Sequence, residues 1–203
     1  MHAEILTKEQ TGLLPLIRNF SRIFGLVGGT AVALQIGHRR SIDFDLFTCK
    51  NFKNNNISKK ISRFGPIQEI IVRKEGEFTF LINGVKITFF QFPYKVEFNK
   101  RFAGIIRISD LLTLAAMKAF AIGQRAKWKD YVDLYFIMNK YHGIDQVVKK
   151  AEELFGKEFN EKIFRTQLTY LDDVSYEEEV IYMPGFDVSD KIIKAKLIEF
   201  SLG

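Results

Sequence analysis

The sequence predicts an α+β fold in which a mixed or antiparallel sheet flanked by helices is followed by a C-terminal helical lobe. Three observations carry this. Apolar residues alternate with polar ones in several short runs between residues 41 and 92, they recur at helical spacing after residue 100, and Asn83-Gly84 separates two strand-like runs as a two-residue hairpin turn does. The division therefore falls near residue 100, with a core over 1–100 and a mainly helical lobe over 101–203 packed on it.

Each element follows from local chemistry. Thr7 and Gln10 form a capping box, and Leu13, Leu14, Leu16, Ile17 and Phe20 supply the stripe of a first helix that Pro15 is placed to kink. Ile23 to Val27 reads as a short strand that stops at Gly28-Gly29, and Thr30 to Ile36 as a short helix that ends at Gly37. In Ser41 to Phe47, Ile42, Phe44 and Leu46 alternate with Ser41, Asp43 and Asp45, the pattern of a half-buried strand. The polar tract from Lys50 leads as a loop into a helix. Gln68 to Lys74, Phe78 to Ile82 and Val85 to Phe92 form a meander. Helices are then expected over Ser109–Ile122, Lys127–Tyr141, Ile144–Phe155, Asn160–Tyr170 and Ser189–Phe200, the last with a serine cap.

Composition narrows the function. With 203 residues, 47% hydrophobic and 20 Phe, the chain can fill an interior. A single cysteine, Cys49, excludes an internal disulfide and a cysteine-rich zinc site, and fits a reducing compartment, the cytoplasm being expected. The N-terminus carries no signal-peptide pattern, and the longest apolar or small run, Ile23 to Leu34, is too short to span a membrane, so no membrane association is expected. The net charge of +6 is uneven: residues 172–190 hold seven acids and no Lys or Arg. A basic body suits an anionic partner such as a nucleotide or nucleic acid, and equally a merely solvated surface.

The Walker loop, the dinucleotide fingerprint, Gly-x-Ser-x-Gly and His-Glu-x-x-His are all missing, and the three histidines are far apart in sequence. Asp43-Phe44-Asp45 remains. Alternation puts both carboxylates on one face, about 6.6 Å apart along a strand. Hard divalent cations take one or two carboxylates plus substrate phosphates, so the pair suits such an ion; an exposed face neutralised by Arg39 or Arg40 is the competing reading. Gly28 and Gly29 lead into a helix N-terminus able to receive phosphate. His38, Arg39 and Arg40 either meet phosphates or stand in solvent. Lys118 lies on the face of Leu111, Leu114, Ala115 and Ile122, where an ammonium needs an anion. That anion is a triphosphate or Asp133, itself the sole charge between Tyr131 and Met138.

These residues are familiar. Leu26-Val-Gly-Gly-Thr-Ala-Val-Ala-Leu, Gly37-His-Arg-Arg-Ser-Ile-Asp-Phe-Asp-Leu-Phe, the run from Ile108 through Lys118, and Lys129-Asp-Tyr-Val-Asp resemble motifs of the AbiEii/AbiGii toxin family, nucleotidyltransferases of the DNA polymerase beta superfamily. The resemblance implies a polymerase-beta-like core and transfer of a nucleoside monophosphate from a nucleoside triphosphate to an RNA, tRNA-like, or protein acceptor, with pyrophosphate leaving. It implies that Gly28, Gly29, Thr30, Arg39 and Ser41 bind nucleotide, that Asp43 and Asp45 bind Mg²⁺ or Mn²⁺, that Lys118 neutralises phosphate, and that Asp130 or Asp133 aligns the helical motif or assists the acceptor hydroxyl. A cognate antitoxin partner is also implied. Family members commonly carry an acid where this chain has Thr88, so one competing reading is an impaired nucleotide or nucleic-acid binding module; a more distant one is a small-molecule nucleotidyltransferase of the antibiotic-modifying kind, which shares the first motif but explains the helical one less readily. Glu69, Glu75 and Glu77 are candidates to replace the missing acid.

Overall fold

A computed structural model describes residues Met1 to Gly203, organised as two units: residues 1–37 with 41–110, and residues 38–40 with 111–203. In the first unit, helix α1 (Lys8–Arg18) opens on the predicted box, Gln10 N–H donating to Thr7 Oγ1 at 3.2 Å and Thr7 N–H to Gln10 Oε1 at 3.1 Å. Pro15 sits inside α1 without ending it. The buried stripe Leu13, Leu16, Ile17 continues to Phe20 and Phe24, whose rings close on Phe89 at 4.6 and 5.0 Å.

Strand β1 (Gly25–Val27) is shorter than expected, because Ile23 lies in the turn after α1 and is exposed. Helix α2 (Gly28–Ile36) starts at the first glycine of the pair. Strand β2 (Phe44–Thr48) begins three residues later than the alternation suggests. Ser41 is buried and Ile42 is 52% exposed, the inverse of the expected pattern, since residues 38–40 belong to the other unit and the chain rejoins the sheet only at Phe44.

Helix α3 (Asn54–Ile61) precedes the meander of β3 (Glu69–Lys74), β4 (Glu77–Ile82) and β5 (Val85–Gln91). Asn83 and Gly84 both take the positive φ that the two-residue turn demands. Two strands escape sequence periodicity because each is three residues long: β6 (Lys100–Phe102) and β7 (Ile106–Ile108). The sheet order is β3-β4-β5-β2-β1-β7-β6, with β2 parallel to β5, β1 parallel to β7 and the other neighbours antiparallel, so the sheet is mixed. One face buries Phe44, Leu46, Phe78, Phe80, Ile87 and Phe89. The other presents the half-buried residues Asp45, Phe47, Lys86, Thr88 and Phe90.

The second unit holds α4 (Leu111–Ile122), α5 (Trp128–Lys140), α6 (Ile144–Phe155), α7 (Glu161–Thr169) and α8 (Asp190–Ser201), each within two residues of expectation. Phe120 of α4 stacks on Phe155 of α6 at 4.1 Å, and Trp128 Nε1 donates to Asp190 Oδ1, tying α5 to α8. Ser189 stands at the start of α8, but its hydroxyl makes no cap hydrogen bond. Lys127 and Lys129 neutralise Glu178 of the acidic segment at 2.5 and 3.5 Å. No helix is long and apolar enough to cross a membrane.

Candidate functional site

The first unit gathers six of the expected residues, Gly28, Gly29, Thr30, Ser41, Asp43 and Asp45. Asp45 lies in β2 between Val27 of β1 and Thr88 of β5, so the β1–α2 corner is its neighbour. A Cβ built on Gly28 would stand 2.2 Å from Asp45 Oδ2, and Gly28 has φ +71°. Only glycine satisfies both the close approach and the left-handed backbone. The carboxylate is thereby held against the first turn of α2, whose leading N–H groups have no partner within the helix.

Thr30 and Ser41 are placed differently from expectation. Both are buried. The Thr30 hydroxyl donates to the carbonyl oxygen of Asp43 and lies 2.9 Å from Ser41 Oγ. These hydroxyls fasten the backbone that carries the acids, a buried hydroxyl needing a protein partner. What α2 still offers an anion is the backbone N–H groups of Gly28, Gly29 and Thr30.

Asp43 lies one residue before β2, and its Oδ2 is 2.6 Å from Lys86 Nζ. The cation on this face is thus Lys86, where the sequence suggested Arg39 or Arg40. The parallel register of β2 and β5, extended by one residue, sets Lys86 beside Asp43 just as Thr88 sits beside Asp45. Thr88 also faces Thr79 across the β4–β5 ladder, with Oγ1 atoms 3.4 Å apart. Of the candidate replacement acids, Glu77 is paired with Lys74 and Glu69 lies on the outermost strand β3. No third acid, histidine or cysteine joins the pair. Two carboxylates fit one hard divalent cation that takes its other oxygens from phosphate and water; a second ion would have to use a hydroxyl.

The second unit gathers Arg39, Lys118, Asp130 and Asp133, all buried. Asp133 accepts four donors: His38 Nε2 and Arg39 Nε on Oδ1, Arg39 Nη2 and Lys118 Nζ on Oδ2, at 2.7–2.8 Å. Lys118 Nζ also donates to Asp130 Oδ1 at 2.5 Å. Arg39, expected on a phosphate-binding or solvated loop, is 2% exposed, and its guanidinium forks onto Asp133. Backbone hydrogen bonds from Arg40 N–H to Ile181 and from Met183 N–H to His38 fix the same three residues. For Lys118 the structure supplies Asp133 as the anion, and Asp130 with it.

Burial alone would raise the Asp133 carboxyl, but Arg39 and Lys118 override it and hold it well below the ordinary range. Burial alone would lower Lys118, but Asp130 and Asp133 leave it raised. His38 is lowered because its burial outweighs the help of Asp133. It is thus neutral at pH 7, with Nδ1 left without a hydrogen bond. Asp130 Oδ2 is the one carboxylate oxygen of the cluster with no hydrogen-bond donor, and Arg125 Nε lies 3.9 Å from it.

Residues 18–193 match the family model described as Nucleotidyl transferase AbiEii toxin, Type IV TA system. The chain belongs to the AbiEii family. This AbiEii protein is a nucleotidyltransferase of a toxin–antitoxin system, and its mixed α+β architecture agrees. It is 34% identical to the protein aq_aa25 of Aquifex aeolicus (strain VF5), over 96% of this chain and 97% of that one. Two crystal structures from Helicobacter pylori, of a candidate nucleotidyltransferase and of JHP933, are each 17% identical with a TM-score of 0.63. They cover 96% and 97% of this chain and 92% of their own, and speak for the fold.

Proposed function

We propose that this AbiEii protein uses Asp43 and Asp45 to hold one Mg²⁺ or Mn²⁺ and transfers a nucleoside monophosphate from a nucleoside triphosphate to an RNA acceptor, tRNA-like ends included, or to a protein. The observation that supports this best is the Asp45 carboxylate packed against Gly28 at the start of α2, which sets a metal ligand beside a phosphate-binding helix end. When bound, the cation polarises the phosphate under attack. The chain's own part is positioning. Thr30 pins Asp43, Gly28 admits Asp45, the N–H groups of Gly28, Gly29 and Thr30 receive phosphate oxygens, and Lys86 balances the charge of Asp43. The acceptor oxygen bonds to the α-phosphorus as the bond to pyrophosphate breaks, and the acceptor's proton is lost.

The helical acids divide their roles in this reading. Asp133, with four donors, has no oxygen left to take a proton and serves as the anchor of His38 and Arg39. Asp130, whose buried Oδ2 lacks a donor, is the acid assigned to the acceptor hydroxyl. Lys118, already neutralised twice, holds the two acids together; phosphate contact would require it to leave both. A cognate antitoxin is the expected protein partner, as the family's description suggests.

The test is transfer of a labelled nucleotide to purified total RNA, to protein and to the enzyme itself, comparing wild type with Asp45→Asn. Loss of at least about 100-fold in the variant is expected. Equal transfer by the two proteins would remove Asp45 from the mechanism. Thr88 in register with Asp45 favours a second reading, a nucleotide-binding module without turnover, which nucleotide binding with no transfer by the wild type would support.

A further inference from the structure

We propose that the aromatic strip on the carboxylate face of the sheet receives a single-stranded nucleic acid end, its bases stacked on Phe47, Phe90 and Phe92 and its phosphates held by Arg101 and Arg107. This rests on the transferase reading for why such a strand comes here, and names where it lies.

Register alone puts the strip and the acids on one face. Phe47 follows Asp45 by two residues in β2, and Phe90 follows Thr88 by two in β5. Both rows are registered, Asp45 with Thr88 and Phe47 with Phe90. The strip is therefore the next pleat row along, about 6.6 Å from the acids. The ring centroids of Phe47 and Phe90 are 5.1 Å apart, those of Phe47 and Phe92 are 5.2 Å apart, and all three rings are half-buried where the opposite face is sealed. On the other side, Gly25 is registered with Phe47, and the Phe98 ring fills its side-chain space, 2.0 Å from where a Cβ would be. Any side chain at residue 25 would expel that ring. Arg107 lies over Phe98, its guanidinium carbon 5.8 Å from the centroid.

Charge chooses the occupant. Arg107 is directly opposite Arg101 in the β6–β7 ladder, and no carboxylate pairs with either. Like charges in that position destabilise a sheet unless an anion sits between them. The first unit carries 15 basic and 9 acidic residues, while the second carries 15 of each, so the whole surplus of +6 lies on the unit that bears the strip. The strip crosses four neighbouring strands, β7, β1, β2 and β5, a width of about 15 Å at the usual strand spacing. That is too long for one base and suited to successive bases, which stack on aromatic rings without regard to identity.

The test is fluorescence anisotropy with a labelled ten-nucleotide single-stranded oligouridylate in EDTA, beside calorimetric titration of ATP with Mg²⁺. Phe47→Leu with Phe90→Leu keeps apolar volume and removes stacking; it is expected to weaken the oligonucleotide about tenfold or more and leave ATP binding unchanged. Phe47→Tyr with Phe90→Tyr is expected to restore binding. Arg107→Gln is expected to lower the slope of log affinity against log salt by about one, a readout that stands even if the leucine pair fails to fold. A folded leucine variant that binds the oligonucleotide as wild type does, or an Arg107→Gln with unchanged slope, overturns the proposal. So does a leucine variant that loses ATP and keeps the oligonucleotide, since the strip would then hold the incoming base. Asp45→Asn separates the two readings: it is expected to lower transfer at least about 100-fold and to leave metal-free oligonucleotide binding intact. Wild type that binds the strand without transferring to any acceptor defeats the transferase reading alone.

Discussion

Gly28 meets two demands at once, a left-handed backbone and a carboxylate in the space of its missing side chain. Gly28→Ala is expected to cost about 1–2 kcal/mol in denaturant unfolding and, by pushing Asp45 aside, to lower transfer more than stability; unchanged transfer would detach the corner from the chemistry. Thr88→Asp adds a carboxylate in register with Asp45, and the expected outcome is at least about tenfold tighter Mn²⁺ binding by calorimetry. No gain would mean that Lys86, beside Asp43, already supplies the balancing charge. The acid pair and the glycine corner were legible in the sequence because their signals are local, an Asp-x-Asp repeat and a Gly-Gly pair between strand and helix. The partnership of Lys86 with Asp43 was not, because it depends on β2 and β5 lying parallel some forty residues apart in sequence. The hydrogen bonds of the Thr30 hydroxyl to Ser41 and to the Asp43 carbonyl were not legible either, because nothing local says that these groups face each other.

Helices α4 and α5 are joined by charge inside an apolar setting, Lys118 on one and Asp130 and Asp133 on the other. Breaking a buried pair leaves an uncompensated ion, so Asp133→Ala is expected to lose about 3–5 kcal/mol in chemical denaturation. The pH dependence has two windows. His38 has a depressed folded pKa, so the unfolded chain takes up its proton first; stability falls as pH drops below about 6.5, and His38→Gln should flatten that limb. Asp133 is depressed too: its contribution is whole above the unfolded carboxyl value near about 4 and is lost as pH falls through the lower folded value, a limb that Asp133→Asn should remove. Unaltered acid limbs in these variants would show that other groups set them. The helices were legible to within two residues because capping and periodicity act within each one. Strands β6 and β7 were not, being shorter than the roughly four residues over which alternation can be read. Arg39 was misread because its partner stands 94 residues away.

At the scale of the molecule, the sheet unit is cationic and the helical unit neutral, although the acidic segment 172–190 made the imbalance visible in sequence only as a local deficit. The three-residue detour at His38–Arg40 bears on how the protein can be handled. A recombinant piece covering 111–203 omits it, taking from Asp133 three of its four donors and stranding a carboxylate in an oily interior with Lys118 as its remaining partner. Such a piece is expected to be unfolded by circular dichroism, and to gain order when a peptide spanning the detour is added back. The boundary in space is therefore not a place to cut the gene, and the two units must be made as one polypeptide.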